Sequence, residues 1–156
     1  MGLANSTPRE VHRGPFNTLW LRLAALLRPV SRGKTGIAAN WRLHKTAGKK
    51  AFRAGDYTEA EKHFSTALKL VAPLGPENPR VAATLNNIAL VYKMQGRFGK
   101  AEMCLRRALR IYEAVRPDHA HVATVMGNLA ALYDSQGKHT EAEPLRKRAQ
   151  AIIGAG

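Results

Sequence analysis

The chain has 156 residues, enough for one small domain plus a tail, and its single cysteine, Cys104, excludes an intrachain disulfide. Lys and Arg number 25 against 11 Asp and Glu, a formal net charge of +14, so charge alone attracts acidic peptides, nucleic acid and anionic membrane surfaces. No segment approaches the roughly 20 unbroken apolar residues of a membrane span, and no strand-like alternation persists, which points to an all-α fold.

Residues 1–40 form a basic N-terminal extension, with Arg9, Arg13, Arg22, Arg28, Arg32 and Lys34 set against one acid, Glu10. Inside it Phe16, Leu19, Trp20, Leu23, Leu26 and Leu27 follow helical spacing and Pro29 stops the run, which predicts one amphipathic helix over residues 16–28. Three readings of this helix stay open. A secretory signal is disfavoured because Arg22 interrupts the apolar stretch. The Arg-rich, acid-poor character also fits an organelle-targeting helix or one lying on a membrane surface. The third reading is a helix packed on the rest of the chain through a flexible linker, Arg32-Gly33-Lys34-Thr35-Gly36. The expected location is cytoplasmic, with organelle targeting or a peripheral membrane position as the alternative.

From residue 41 the chain repeats itself. Gly55, Gly96 and Gly137 lie 41 residues apart, as do Ala60, Ala101 and Ala142, and Ala67, Ala108 and Ala149. Asn87 and Asn128 keep the same step, and so do Tyr92 and Tyr133. A register of small and aromatic residues held this way marks a repeat array, here 41–81, 82–122 and 123–153. Each unit reads as a helix, a Gly turn and an antiparallel helix. Leu85, Ile88, Ala89 and Tyr92 make one helical stripe, repeated by Met126, Leu129, Ala130 and Tyr133. The glycines fall just past the first helices, where a left-handed C-terminal cap favours Gly. Thr58-Glu59-Ala60-Glu61 and Thr140-Glu141-Ala142-Glu143 read as capping boxes opening the second helices, with Pro144 in the first turn.

Leu85-Asn86-Asn87-Ile88-Ala89, Tyr92, Gly96, Ala101, Ala108-Leu109 and Pro117-Asp118-His119 closely resemble the tetratricopeptide repeats of kinesin light chains. The ordinary unit of that family has about 34 residues; the surplus here lies around Leu70–Ala82 and Tyr112–Val122. The resemblance implies a right-handed superhelical array of about three helix-turn-helix repeats behind an N-terminal extension. Repeat one is the most degenerate, with Ala51 where the later repeats have Tyr, and repeat three has His139 where the others have Tyr57 and Phe98.

The resemblance also places the first helices on a concave groove and the second helices on the convex side. By spacing, the inward faces hold Arg42, Lys45, Thr46, Lys49 and Arg53 in repeat one. Repeat two contributes Ala83, Asn86, Asn87, Leu90, Lys93 and Met94, and repeat three Thr124, Asn128, Ala131, Asp134 and Ser135. Asn87 and Asn128 match the asparagines with which the family commonly holds a peptide backbone, since a primary amide both donates and accepts. The co-chaperone members grip a terminal carboxylate with a Lys and an Asn in the first repeat; Lys45 matches that Lys, but Lys49 replaces the Asn, and Thr124 and Asn128 replace later basic residues. A full carboxylate clamp is therefore not expected.

Nothing in the sequence assembles a catalytic site, a metal site or a cofactor site, and the chain is not expected to be an enzyme. His119 and His121 lie near Asp118 without further ligands, and Gly33-Lys34-Thr35 lacks the first Gly and the strand of a phosphate loop. Arg106, Arg107, Arg110, Arg146, Lys147 and Arg148 read as a solvated convex face without the aromatic interleaving of a nucleic-acid reader. The chain ends at Ala151-Ile152-Ile153-Gly154-Ala155-Gly156, so an apolar flank is expected on the last helix, open to self-association or a partner. The expected function is a protein-interaction module or scaffold that binds an acidic peptide in a partly basic groove. Two alternatives stay open: a structural subunit docked in a larger assembly through residues 16–28, and, more distantly, a basic nucleic-acid-associated protein.

Overall fold

The computed structural model describes residues 33–116 and 119–155; the helix expected over 16–28 lies outside them. Six α-helices follow one another: α1 (Lys34–Arg53), α2 (Tyr57–Val71), α3 (Pro79–Met94), α4 (Phe98–Val115), α5 (Ala120–Asp134) and α6 (His139–Gly154). A single 3-10 turn, Ala72–Leu74, follows α2, and no strand occurs among the described residues. The helices pair as α1–α2, α3–α4 and α5–α6, and the pairs stack through α2 on α3 and α4 on α5. This is the all-α array of three helix-turn-helix units.

The turns within the pairs are three copies of one device. Gly55, Gly96 and Gly137 have φ of 79°, 72° and 73°, the left-handed region that a side chain disfavours. Around each, the glycine N–H reaches back to Phe52, Lys93 or Asp134, and the next N–H to Ala51, Tyr92 or Tyr133. Those paired bonds are a Schellman closure, and they satisfy carbonyls that the ending helix leaves orphaned.

Helix starts differ from the reading of the threonines. The second helices begin one residue ahead of Thr58 and Thr140, so their caps fall at Asp56, Arg97 and Lys138. Asp56 accepts from the Glu59 N–H at 2.9 Å, while Thr140 donates instead to the Glu141 carboxylate at 2.6 Å. Pro144 lies inside α6, beyond its first turn, where it removes one intrahelical bond. The first helices α3 and α5 open on Asn78 and His119, also 41 apart, whose side chains accept from the N–H of Arg80 and His121. His119 is thereby engaged as a cap. The helix α1 begins at Lys34, inside the stretch read as a flexible linker.

Between the helices the core is built on small residues at fixed register. Ala60, Ala101 and Ala142 are fully buried, as are Ala67 and Ala108. At Gly48 an added Cβ would stand 2.6 Å from Phe64 Cε1, so glycine lets α1 approach α2 closely. Phe64 then packs on Ile88 and Val91 of the next repeat. Polar ties reinforce the stack: Trp41 Nε1–H donates to the buried Thr84 hydroxyl at 2.8 Å, and Thr84 donates on to the Arg80 carbonyl at 2.7 Å. One repeat later, the Tyr133 hydroxyl donates to Glu102 at 2.8 Å and accepts from Arg106 at 2.7 Å.

The last helix is less apolar outside than expected. Arg146 and Gln150 stand where Phe64, Leu105 and Leu68, Leu109 meet the following repeat. The charged and amide groups give α6 a polar flank, and the strongly exposed apolar residue there is Ile153, at 68 %.

Candidate groove and its basic wall

The helix α1 carries Arg42, Lys45, Lys49, Lys50 and Arg53 and contains no acid. None of these five takes part in the ion pairs formed among the described residues. Lys45 lies with its ammonium 4.3 Å from the Trp41 ring centre, a cation–π contact. Burial, and then the neighbouring charges of Lys49 and Arg42, hold its ammonium below the usual lysine range. Like charges crowd one helix face without a counter-ion.

Two recesses open beside this wall. A smaller one, about 160 Å³, is lined by Lys45 and Lys49 of α1, Asn86 and Asn87 of α3, and by Tyr112, His121 and Thr124 from beyond them. A larger one, about 410 Å³, lies one helical turn further along and adds Phe52, Arg53, Phe64, Leu90 and Asn128. Both share Lys49, Asn86, Asn87 and Thr124, so they are adjoining compartments of one groove. Residues of α1, α3 and α5 line them, as first helices should line the concave side.

The amides form a connected row. Asn128 Nδ2–H donates to Asn86 Oδ1 at 2.8 Å, joining repeats two and three across the groove floor. Asn86 keeps its own NH₂ free for a further acceptor, and Asn87 makes no side-chain hydrogen bond among the described residues. Of the expected groove residues, Lys45, Lys49, Arg53, Asn86, Asn87, Leu90 and Asn128 line these recesses. Arg42 is not among the lining residues and acts on Lys45 through its charge. Lys93 and Met94, the latter half-exposed, are not among the lining residues. Asp134 departs from the groove altogether: its carboxylate pairs with Arg146 at 2.7 Å and His139 at 2.9 Å, turned toward α6.

Sequence reasoning missed five lining residues, Phe52, Phe64, Tyr112, His121 and Val125. Phe52 and Phe64 are apolar positions of repeat one, and the buried Phe64 ring packs directly on Gly48. Tyr112 comes from the end of a second helix, and burial pushes its hydroxyl above the usual tyrosine range. His121 lies in the first turn of α5, which starts at Ala120.

On the second helices the cations are mostly neutralised. Arg106 pairs with Glu102, Arg146 with Asp134 and Glu143, Lys147 with Glu143, and Arg148 with Glu113. Cys104 is half-buried and burial pushes its thiol up, away from the reactive thiolate. Among the described residues no group of three or more His, Cys, Asp or Glu gathers as a metal site, and no helix is long and apolar enough to cross a membrane.

A sequence model of the family described as Tetratricopeptide repeat matches residues 48–114 and 103–153. Among solved structures, the TPR domain of Arabidopsis FLU superposes with a TM-score of 0.67 at 18 % identity, covering 77 % of this chain and 99 % of that one. BtubC from P. vanneervenii gives 0.67 at 24 % identity, covering 90 % of this chain and 55 % of its own. A putative kinesin light chain from Podosopora anserina, with nearly identical TPR-like repeats, gives 0.61 at 20 %, covering 86 % and 63 %. At these identities the likeness is one of fold. A search of curated proteins gave no match.

Proposed function

Because the chain belongs to the tetratricopeptide-repeat family, we propose that its concave groove binds an acidic peptide segment of a partner protein. The family's repeats are protein-interaction modules, and that much holds for this chain at the level of the fold. The finer reading rests on one observation: the α1 cations Arg42, Lys45, Lys49 and Arg53 stand unneutralised against a row of amides. A carboxylate-bearing peptide would relieve the repulsion among them, while Asn87 and Asn128 offer donors and acceptors to its backbone.

Peptide polarity follows from the same asymmetry, with the negative end against repeat one and the neutral part against α5. Charge complementarity of this kind acts mainly on association rate and orientation. The Lys45→Glu/Lys49→Glu double variant should bind an acidic probe peptide at least about tenfold more weakly at low salt and lose most of the salt dependence. Fluorescence anisotropy across a salt series reads both quantities. Undiminished binding by the double variant would remove the groove assignment. Docking of the whole chain into a larger assembly through residues 16–28 is the second reading, and it predicts that deletion of residues 1–30 abolishes assembly while leaving peptide binding intact.

A further inference from the structure

The three repeats act as controls for one another at a contact between paired helices. In repeat two that contact is Leu85 of α3 beside Cys104 of α4, and in repeat three Met126 of α5 beside Leu145 of α6. Leu85 and Met126 are buried, and Cys104 and Leu145 are packed against the same core. At the same register, repeat one has His44 on α1 and His63 on α2. Both apolar partners have been exchanged for imidazoles, which apolar packing does not call for.

The two rings meet through like atoms. His44 Nδ1 and His63 Nδ1 are 3.1 Å apart, with ring centroids at 5.4 Å and planes inclined by 46°. On its far side, His63 Nε2 lies 3.4 Å from the Glu59 carboxylate, one turn earlier on α2. A carboxylate there takes the Nε2–H and leaves the lone pair on Nδ1, the arrangement that orients a metal-binding histidine. His44 can reach the same state by moving its proton from Nδ1 to Nε2.

We propose that His44 and His63 form a two-imidazole site for a borderline divalent cation of the Zn²⁺, Ni²⁺ or Cu²⁺ type, clamping α1 to α2. Two nitrogens at about 2.0–2.1 Å from one ion are about 3.1 Å apart when the angle between them is near 100°. The observed separation therefore matches the bite of one such ion. Imidazole nitrogen suits these ions rather than Mg²⁺ or Ca²⁺, which prefer oxygen. With two protein ligands, the remaining positions belong to water or to a ligand from outside the chain. The clamp joins the first repeat's two helices directly behind the wall that carries Lys45 and Lys49.

The test uses the full chain, purified without a polyhistidine tag, and Zn²⁺ alone as the probe. Wild type should bind one ion per chain at this site by calorimetry, and its melting temperature should climb with free Zn²⁺, because an ion bound only by the folded state stabilises it. His44→Leu and His63→Leu restore the residues of the other repeats, so the fold is kept, and each should abolish both responses. Glu59→Gln keeps the two ligands but should weaken binding about tenfold. His119→Asn, which installs the cap residue that Asn78 supplies one repeat earlier, should leave the response unchanged. A wild-type chain indifferent to Zn²⁺, or a response that survives in the His44→Leu and His63→Leu variants, would overturn the assignment and leave the pair as a hydrogen bond between rings.

Discussion

The first and last helices are both rich in cations, yet they treat charge in opposite ways. On α6, Arg146, Lys147 and Arg148 each meet a carboxylate, from Asp134, Glu143 or Glu113. On α1, Arg42, Lys45, Lys49, Lys50 and Arg53 meet none. The formal charge of the whole chain hides this difference, since it counts cations without asking which of them are already satisfied. Available charge is a property of place, and α1 keeps five such cations on one helix.

The contrast extends to packing. One register position is Phe64 in repeat one, Leu105 in repeat two and Arg146 in repeat three. Replacing each by Ala should give a graded series in urea denaturation. Phe64→Ala should cost about 3–5 kcal/mol and Leu105→Ala about 2–5 kcal/mol, the range for buried aromatic and aliphatic truncation. Arg146→Ala, at a partly exposed ion pair, should cost about 1 kcal/mol or less. If Arg146→Ala proved as damaging as Leu105→Ala, α6 would be packed like an internal helix and the comparison would collapse.

A second probe addresses the close approach of α1 to α2 at Gly48, where the Phe64 ring is buried. Gly48→Ala gains about 1 kcal/mol of helix propensity but forces a Cβ into the Phe64 ring, and overpacking of that kind costs about 1–3 kcal/mol. Net destabilisation of about 1–2 kcal/mol is expected, together with weaker peptide binding as the ring is displaced. A stabilised variant would show that the ring moves aside freely.

In the groove itself, Asn87→Ala and Asn128→Ala should each lower peptide affinity by about 1 kcal/mol, with Asn87→Ala leaving the melting temperature untouched. A melting-temperature drop with unchanged affinity would make these amides structural. The smallest effect concerns acid stability at the seam between repeats two and three. Hydrogen bonds from Arg106, then from Tyr133, hold the Glu102 carboxyl below its usual range, with burial opposing them. A carboxyl depressed on folding contributes stability above its ordinary pKa, and that contribution is lost as pH falls through the lowered value. Tyr133→Phe removes one donor, so the contribution should be smaller and its loss complete at a higher pH, visible in urea midpoints below about pH 5. Identical profiles would show that Arg106 alone sets the carboxyl.

Much of the array is legible in the sequence because its determinants are local and repeated. Gly55, Gly96 and Gly137 announce the three turns, and the apolar stripes of α3 and α5 announce the faces that pack. What escapes is carried by pairs that the register does not repeat. Trp41 stands where the later repeats have Ala82 and Ala123, so nothing in the pattern foretells its bond to Thr84. Asp134 fits the inward spacing of α5 but is drawn to Arg146, a partner twelve residues away that spacing ignores. Thr58 and Thr140 look like caps, yet the Schellman closures fix where the turn ends and start the helix one residue earlier.

The bond from Asn128 to Asn86 has a consequence for selectivity. A ligand that displaces Asn128 from the Asn86 oxygen must supply a donor as good as the one it removes. A ligand that breaks this bond without supplying such a donor leaves a half-buried amide oxygen unpartnered and is penalised rather than merely unrewarded. Under the proposed peptide-binding reading, the groove floor would thus discriminate through what it loses, favouring extended backbones with an N–H at that point over molecules of similar charge that lack one.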